Sequence, residues 1–351
     1  MTPLLSPEFT SGIEKVLANQ YGFSDAKLSR LNFGEGGYNF KAVGNGYTVF
    51  VKQYVQRSNL GAENEAIEAT ELARRSGVPT PQIIENKFGH RIDKSTNHSL
   101  SVWSWIDGEV KKRGLEQVHY REIGEVLGRI HRTFANIAQA KSSPQKTIRW
   151  FDISVTNLRT EISSLEKRVS EKIRNGFAED FDRNALLQLA TRRTQLDELL
   201  PLLQSLPPLT SQVLHGDYSL VNILFSSGRL AAVVDFRPPE AFLIAYELGR
   251  IAFYPNTVEG TNDWLDYARL VVEGYCTTNP EVNPNDIRAS ARVALIQLLK
   301  SLYGIKEHYN GGGLLQEELD EFWRLRHIAA TKLLRDIDRA DRVMSEISKQ
   351  L

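Results

Sequence analysis

Residues 213–225 read VLHGDYSLVNILF, and a second apolar run, LAAVVDF, follows the turn SSGR and ends at residue 236. This pair of runs constrains the fold more than any other feature. Almost everything after residue 115 has helical periodicity, so two short apolar runs around a turn predict a β-hairpin set among helices. In an antiparallel hairpin the entrance of the first strand and the exit of the second lie side by side. Asn222 enters the first strand and Asp235 leaves the second. An amide oxygen and a carboxylate then converge, and Mg²⁺ takes oxygen ligands of this kind while keeping several waters. Asp217 lies on the loop entering the hairpin, where it faces the same spot as a base rather than a ligand. The alternative is a buried hairpin whose polar ends cap turns, which a bare His-Gly-Asp tripeptide would fit.

The first third of the chain has a different texture. KLSRLNF, GEGG, YNFKAVG and YTVFVKQY alternate strands and turns, and Gly44-Asn45-Gly46 between alternating apolar residues signals a hairpin. LGAENEAIEATELARRSG predicts a helix closing at Gly77, followed by extended VPTPQII and by another hairpin and strand through SVWSWI. DGEVKKRG is a polar connector. Beyond it the sequence predicts helices over YREIGEVLGRIHRTFANI, about 156–176, 184–205, 240–253, 262–276, 285–308 and 314–349. Two parts result, a small strand-rich part over 1–105 and a larger, mostly helical part over 106–351 with a helical insertion at about 150–205. The layout predicts two lobes with a cleft between them.

Composition narrows the function classes. The 351 residues carry 43 Lys+Arg against 43 Asp+Glu, so the basic excess of a nucleic-acid binder is missing. Cys276 is the one cysteine, which excludes an intrachain disulfide and fits a reducing cytoplasm. No run approaches the roughly 18 apolar residues of a membrane span, the N-terminus does not read as a signal peptide, and the seven histidines show no zinc spacing.

A catalytic Asp, an Asn five residues later and a metal-binding Asp on the following segment is the protein-kinase arrangement. HGDYSLVNILF with VVDF resembles the aminoglycoside phosphotransferase and choline kinase superfamily, whose relatives include bacterial homoserine kinases and stress-response kinases. The resemblance implies an α+β, protein-kinase-like bilobal fold, with a small N-terminal antiparallel-sheet lobe and a larger, mostly helical C-terminal lobe. It implies Asp217 as catalytic base, Asn222 and Asp235 as Mg²⁺ ligands, and His215 as a structural residue under the loop. Lys52, late in a strand, would hold the α- and β-phosphates and pair with a helix glutamate. Glu63, Glu65, Glu68 and Glu71 lie on the next helix; Glu65 shares a face with Ala69 and Leu72 and is the preferred partner, with Glu68 second. Gly36, Gly37 and Asn39 in GEGGYNFKA would approach the phosphates, although the segment does not match GxGxxG. Ser104, Trp105 and Ile106 would lie near the adenine, one of Trp103 and Trp105 serving the core, and His131 reads as a buried structural histidine.

The chain departs from the family at three places. Tyr-Ser-Leu-Val replaces Leu-His-Pro-Gly before Asn222, Arg237 follows the metal Asp and its aromatic, and Glu247-Leu248-Gly249 replaces Asp-Leu-Ala. Arg237 contacts either an acidic substrate group or a structural partner such as Glu247 or Glu240. The expected activity is transfer of the γ-phosphate of ATP, or alternatively GTP, to a hydroxyl of a small molecule, with Mg²⁺. The competing readings are a protein Ser/Thr kinase of the stress-response type and a non-catalytic nucleotide-binding scaffold.

Overall fold

The computed structural model describes residues 7–31, 37–55, 59–137, 144–311 and 316–351. Residues 1–111, 132–137 and 215–240 form one compact unit; 112–131, 138–214 and 241–351 form a second.

In the first unit, helix α1 (Pro7–Tyr21) precedes strands β1 (Lys27–Leu31), β2 (Gly37–Gly44) and β3 (Tyr47–Tyr54), helix α2 (Leu60–Arg75), and strands β4 (Ile83–Ile84) and β5 (Ser99–Ser104). The strands make one antiparallel sheet in the order β1-β2-β3-β5-β4. Period-two alternation decides which face is covered. Phe40, Ala42, Val49, Val51, Leu100 and Val102 point to one side and pack with Ile13, Val16 and Leu17 of α1. Each large apolar side chain buried there contributes about 1.5–3 kcal/mol. The β2–β3 connection is the predicted tight turn, with Asn45 at φ 50° and Gly46 at φ 76°, both left-handed as a type I′ hairpin requires. Helix α2 stops where Gly77 takes φ 82°. The predicted hairpin before β5 is reduced to a single bridge between Asp93 and Leu100.

A second sheet in this unit holds the signature segment. β6 (Glu109–Val110), β8 (Ile223–Ser226) and β9 (Arg229–Val233) pair antiparallel in the order β6-β8-β9; β7 belongs to the second unit. The sequence division assigns the hairpin to the C-terminal part, whereas its contacts group it with the N-terminal one. β6 lies in the segment read as a connector. Its two residues are exposed, so no burial pattern marks them as a strand.

The second unit is helical apart from the two-stranded sheet of β7 (Ser211–Val213) and β10 (Ala241–Leu243). Its helices are α4 (Pro144–Phe151), α5 (Val155–Arg174), α6 (Asp180–Gln195), α7 (Leu199–Gln204), α8 (Ile244–Ala252), α9 (Pro255–Gly260), α10 (Trp264–Thr278), α11 (Pro284–Lys300), α12 (Ile305–Gly311), α13 (Gln316–Arg335) and α14 (Ile337–Ser348), together with most of α3 (Gln117–Phe134). Three expected long helices are each broken. The 184–205 helix divides into α6 and α7 at the 3-10 turn Leu196–Glu198. The 285–308 helix ends at Lys300, where Ser301 turns extended (φ −86°, ψ 125°), and resumes at Ile305 after Gly304 takes φ 98°. The 314–349 helix divides at Asp336, whose φ of −107° and ψ of 17° are not helical. Helix α3 crosses α10 at very short range: a Cβ on Gly124 would stand 1.9 Å from the Val271 carbonyl oxygen.

Candidate active site

The hairpin is pinned from within. Ile223, Phe225, Ala232 and Val233 are fully buried, and Ser227 (φ 50°) and Gly228 (φ 74°) close the turn in the left-handed region. Ile223 faces Val233, and the Val234 N–H donates to the Asn222 carbonyl at 2.9 Å, one step past the ladder. The register therefore sets Asn222 beside the strand exit at Asp235. Between Asp217 and Asn222, the buried Tyr218 and Leu220 anchor the loop that departs from the family spelling.

Four contacts fix the loop. The His215 ring is buried against Phe236, with centroids 4.3 Å apart. Its Nδ1 accepts from the Asp217 N–H at 3.2 Å and its Nε2 lies 3.2 Å from the Val234 carbonyl, which selects the neutral Nε2–H tautomer. The Asn222 side-chain NH₂ donates to the Asp217 carbonyl at 2.9 Å, turning the amide oxygen to the other side as a potential ligand. Gly216 holds φ 89°, and a Cβ there would fall 2.7 Å from Arg237 Cβ. His215 thus takes the structural place expected for it.

Asp235 adopts φ 62°. The left-handed region costs a non-glycine residue on the order of 1–2 kcal/mol, least for Asp and Asn. Its carboxylate is 43% exposed and open to a ligand. Arg237 reaches back between the two acids, 3.1 Å from Asp217 Oδ2 and 3.7 Å from Asp235 Oδ2. Burial alone would lower the Arg237 pKa; the charges of Asp235 and Asp217, with a smaller contribution from Glu63, outweigh it and hold it above the ordinary arginine value. The Glu247 suggested as its partner is instead 2.9 Å from His131 Nε2, and His131 Nδ1 lies 2.9 Å from the Tyr275 hydroxyl. That buried triad gives His131 a structural role within the helical unit.

Lys52 Nζ pairs with Glu63 Oε2 at 3.1 Å and lies 5.2 Å from the Tyr54 ring centroid. The pairing glutamate is Glu63 rather than Glu65. The expectation for Glu65 rested on a packed face through Ala69 and Leu72, but Leu72 is 39% exposed. The packed stripe of α2 runs through Leu60, Ile67, Thr70 and Glu71, which carries Glu63, three residues after Leu60 and four before Ile67. Glu68 pairs with Arg91, and Glu71 with Arg74. Tyr54 is also within the field of Asp235, and burial chiefly raises its pKa. Lys52, Glu63, Asp217, Asn222, Asp235 and Arg237 all belong to the first unit. Among the described residues no three His, Cys, Asp or Glu side chains form a ready-made metal cage. The donor set at Asn222 and Asp235 suits a hard cation that completes its shell with phosphate oxygens and water.

Residues 27–282 match the family model described as the phosphotransferase enzyme family. The chain belongs to this family. No curated protein sequence matches it. Among solved structures, the phosphotransferase is similar to an aminoglycoside phosphotransferase from Alicyclobacillus acidocaldarius (TM-score 0.65, 11% identity, covering 97% of this chain and 98% of that one). It is also similar to a spectinomycin phosphotransferase in complex with ADP and spectinomycin (0.59, 13%, 94% and 99%) and to a microcompartment-associated aminopropanol kinase (0.59, 14%, 95% and 98%). At these identities the likeness is one of fold.

The other expected nucleotide contacts are placed less directly. Gly36 lies outside the described residues. Gly37 opens β2, where a Cβ would stand 2.2 Å from the Gln53 carbonyl oxygen, so strand pairing alone requires glycine there. Asn39 is buried opposite Lys52 in the β2–β3 register. Ser104 is tied to Gln82, donating from its N–H at 2.8 Å and accepting on Oγ at 2.9 Å. Trp105 and Ile106 follow as non-strand residues. Lys41 Nζ sits 4.6 Å from the Trp105 ring centroid, and the Trp105 indole N–H donates to Asp107. Trp103 packs against the Tyr54, Leu60, Ile67 cluster and is the tryptophan that serves the core. Sequence reasoning named Glu63 among four glutamates but ranked Glu65 and Glu68 ahead of it; the stripe through Leu60 and Ile67 was the available signal.

Proposed function

We propose that this phosphotransferase moves the γ-phosphoryl group of ATP to a hydroxyl of a small molecule. The observation that carries the reading is the Asp217, Asn222, Asp235 constellation on one hairpin, in the same unit as the Lys52–Glu63 pair. Asn222 through its amide oxygen and Asp235 through its carboxylate would hold Mg²⁺, which when bound neutralises phosphate charge. Lys52, oriented by Glu63, places its ammonium on the α- and β-phosphates of the donor. The Asp217 carboxylate receives the acceptor hydroxyl proton as that oxygen attacks the γ-phosphorus, whose bond to the β,γ-bridging oxygen breaks so that ADP leaves. Arg237 serves the acids rather than the acceptor: its guanidinium steadies Asp217 and screens the repulsion between Asp217 and Asp235. Trp105 and Ile106 line the place of the base.

The test is a Mg–ATP phosphate-acceptor screen over amino alcohols, sugars, aminoglycosides and homoserine. Asp217→Asn is expected to lose about 10²–10⁴-fold in turnover while keeping nucleotide binding, measured as a Mg–ATP-dependent rise in Tm. Full turnover in Asp217→Asn would refute the assignment of the base. A wild-type protein that binds Mg–ATP yet phosphorylates nothing would favour the scaffold reading.

A further inference from the structure

In the first unit one guanidinium meets both acids of the candidate site. Arg237 Nη2 lies 3.1 Å from Asp217 Oδ2 and 3.7 Å from Asp235 Oδ2. The backbone and the stem of this arginine are both held. Its N–H donates to the His215 carbonyl at 2.9 Å. Pro238 follows, and a proline biases the residue before it toward extended backbone. Gly216 leaves the space that the stem fills: a Cβ there would fall 2.7 Å from Arg237 Cβ and 3.0 Å from its Cγ. Asp235 reaches the same guanidinium from a backbone at φ 62°. Gly216, Asp217, Asn222, Asp235 and Arg237 all belong to this unit, so the arrangement needs nothing from the helical one.

Protein kinases hold two Mg²⁺ ions on the metal-binding Asp and the catalytic-loop Asn. Each ion needs oxygen donors of its own, so a second one draws on the remaining carboxylate oxygen or on a further acid. Here one oxygen of Asp235 already faces a cation, and so does one oxygen of Asp217. Among the described residues no third His, Cys, Asp or Glu joins these acids in a group fit to hold a metal. The fixed charge of Arg237 repels a second divalent ion at the same place. A guanidinium also supplies what such an ion supplies. It stays charged at any working pH, and its planar fork donates to phosphate oxygens. The Arg237 side chain is 56% exposed, which leaves N–H donors open to a phosphate.

We propose that the Arg237 guanidinium takes the place of a second divalent cation, so that this chain works with one metal ion per nucleotide, held by Asn222 and Asp235. The inference rests on the phosphotransferase reading and refines its metal site. It goes beyond steadying Asp217, because an arginine that only tied the loop would leave the number of bound ions unchanged.

The test counts Mn²⁺ bound by the full chain with equimolar AMP-PNP, reading free Mn²⁺ by electron paramagnetic resonance against AMP-PNP alone. Wild type is expected to hold one Mn²⁺ per nucleotide. Arg237→Gln is expected to hold a second, with a Kd about tenfold or more below that of any second ion on wild type. Arg237→Lys keeps the charge and should stay at one. Tm is recorded for each variant, and a fall in Tm for Arg237→Gln with the count still at one would mark a structural tie and overturn the proposal. Two ions on wild type, or a second ion on Arg237→Lys, would overturn it as well, and the wild-type count decides even if a variant does not fold. Absence of any Mn²⁺-dependent nucleotide binding by wild type overturns the phosphotransferase reading itself, and the missing first ion tells that failure apart from the others.

Discussion

Replacing Glu63 by Gln separates the orientation of Lys52 from the stability of the fold. The pair spans 3.1 Å, with side chains 24% and 30% exposed. At an effective dielectric of about 20 the bare attraction is ~5 kcal/mol. Desolvation and screening at that exposure leave about 1 kcal/mol or less as net stability. In a chain of this size 1 kcal/mol moves Tm by about 1–2 °C. On the proposed reading catalysis is more sensitive, because Lys52 would hold its ammonium on the donor phosphates. A loss of about 1.4–2.7 kcal/mol in transition-state stabilisation is about ten- to hundredfold in kcat/KM. The assay is steady-state phosphoryl transfer against ATP concentration for Glu63→Gln, Glu65→Gln, Lys52→Met and Lys52→Met/Glu63→Gln, with Tm recorded for each. Glu65→Gln is expected within about twofold of wild type, and the double variant close to Lys52→Met because the two residues act as a unit. A Glu63→Gln enzyme within about twofold of wild type, or a Glu65→Gln enzyme equally impaired, would refute the reasoning.

Asp235→Ala should abolish the part of the ATP-induced Tm rise that requires Mg²⁺ while leaving the fold intact, as followed by thermal shift with and without chelator. Gly216→Ala should cost on the order of 1–3 kcal/mol, because its φ of 89° and the 2.7 Å approach to Arg237 Cβ both exclude a methyl group; urea unfolding and turnover measure it. Lys300 sets a pH dependence. Its pKa falls from 10.5 to about 8 on folding, so between those values the unfolded chain binds more protons and stability rises with pH. Lys300→Met should remove that rise, gaining up to about 3 kcal/mol below pH 8 and nothing above about pH 10.5, by denaturant melts at pH 7 and pH 10.

The hairpin was legible because its information is local. Apolar runs of strand length, a left-handed turn at Ser227-Gly228 and polar residues at the two open ends determine a register without help from distant segments. The same holds for the Asn45-Gly46 turn and for the separation of a strand-rich beginning from a helical remainder. The family signature in HGDYSLVNILF and VVDF lies on this local framework, so the candidate base and ligands could be named from spacing together with the resemblance.

Other features depended on what packs where. Four glutamates on α2 look alike in sequence, and only the burial of Leu60 and Ile67 against Tyr54 and Ile83 turns Glu63 toward Lys52. Arg237 finds Asp217 and Asp235 because Gly216 lets its stem lie against the loop, while Glu247 is already taken by His131. β6 and the unpaired charge of Lys300 carry no periodic signal. Chain chemistry by itself determined the local hairpin and the residue types on it, since turn and strand preferences act between near neighbours. Which acid meets which base was decided by tertiary packing, because an ion pair depends on the face a side chain is forced to present, and that face is set by residues far away in sequence.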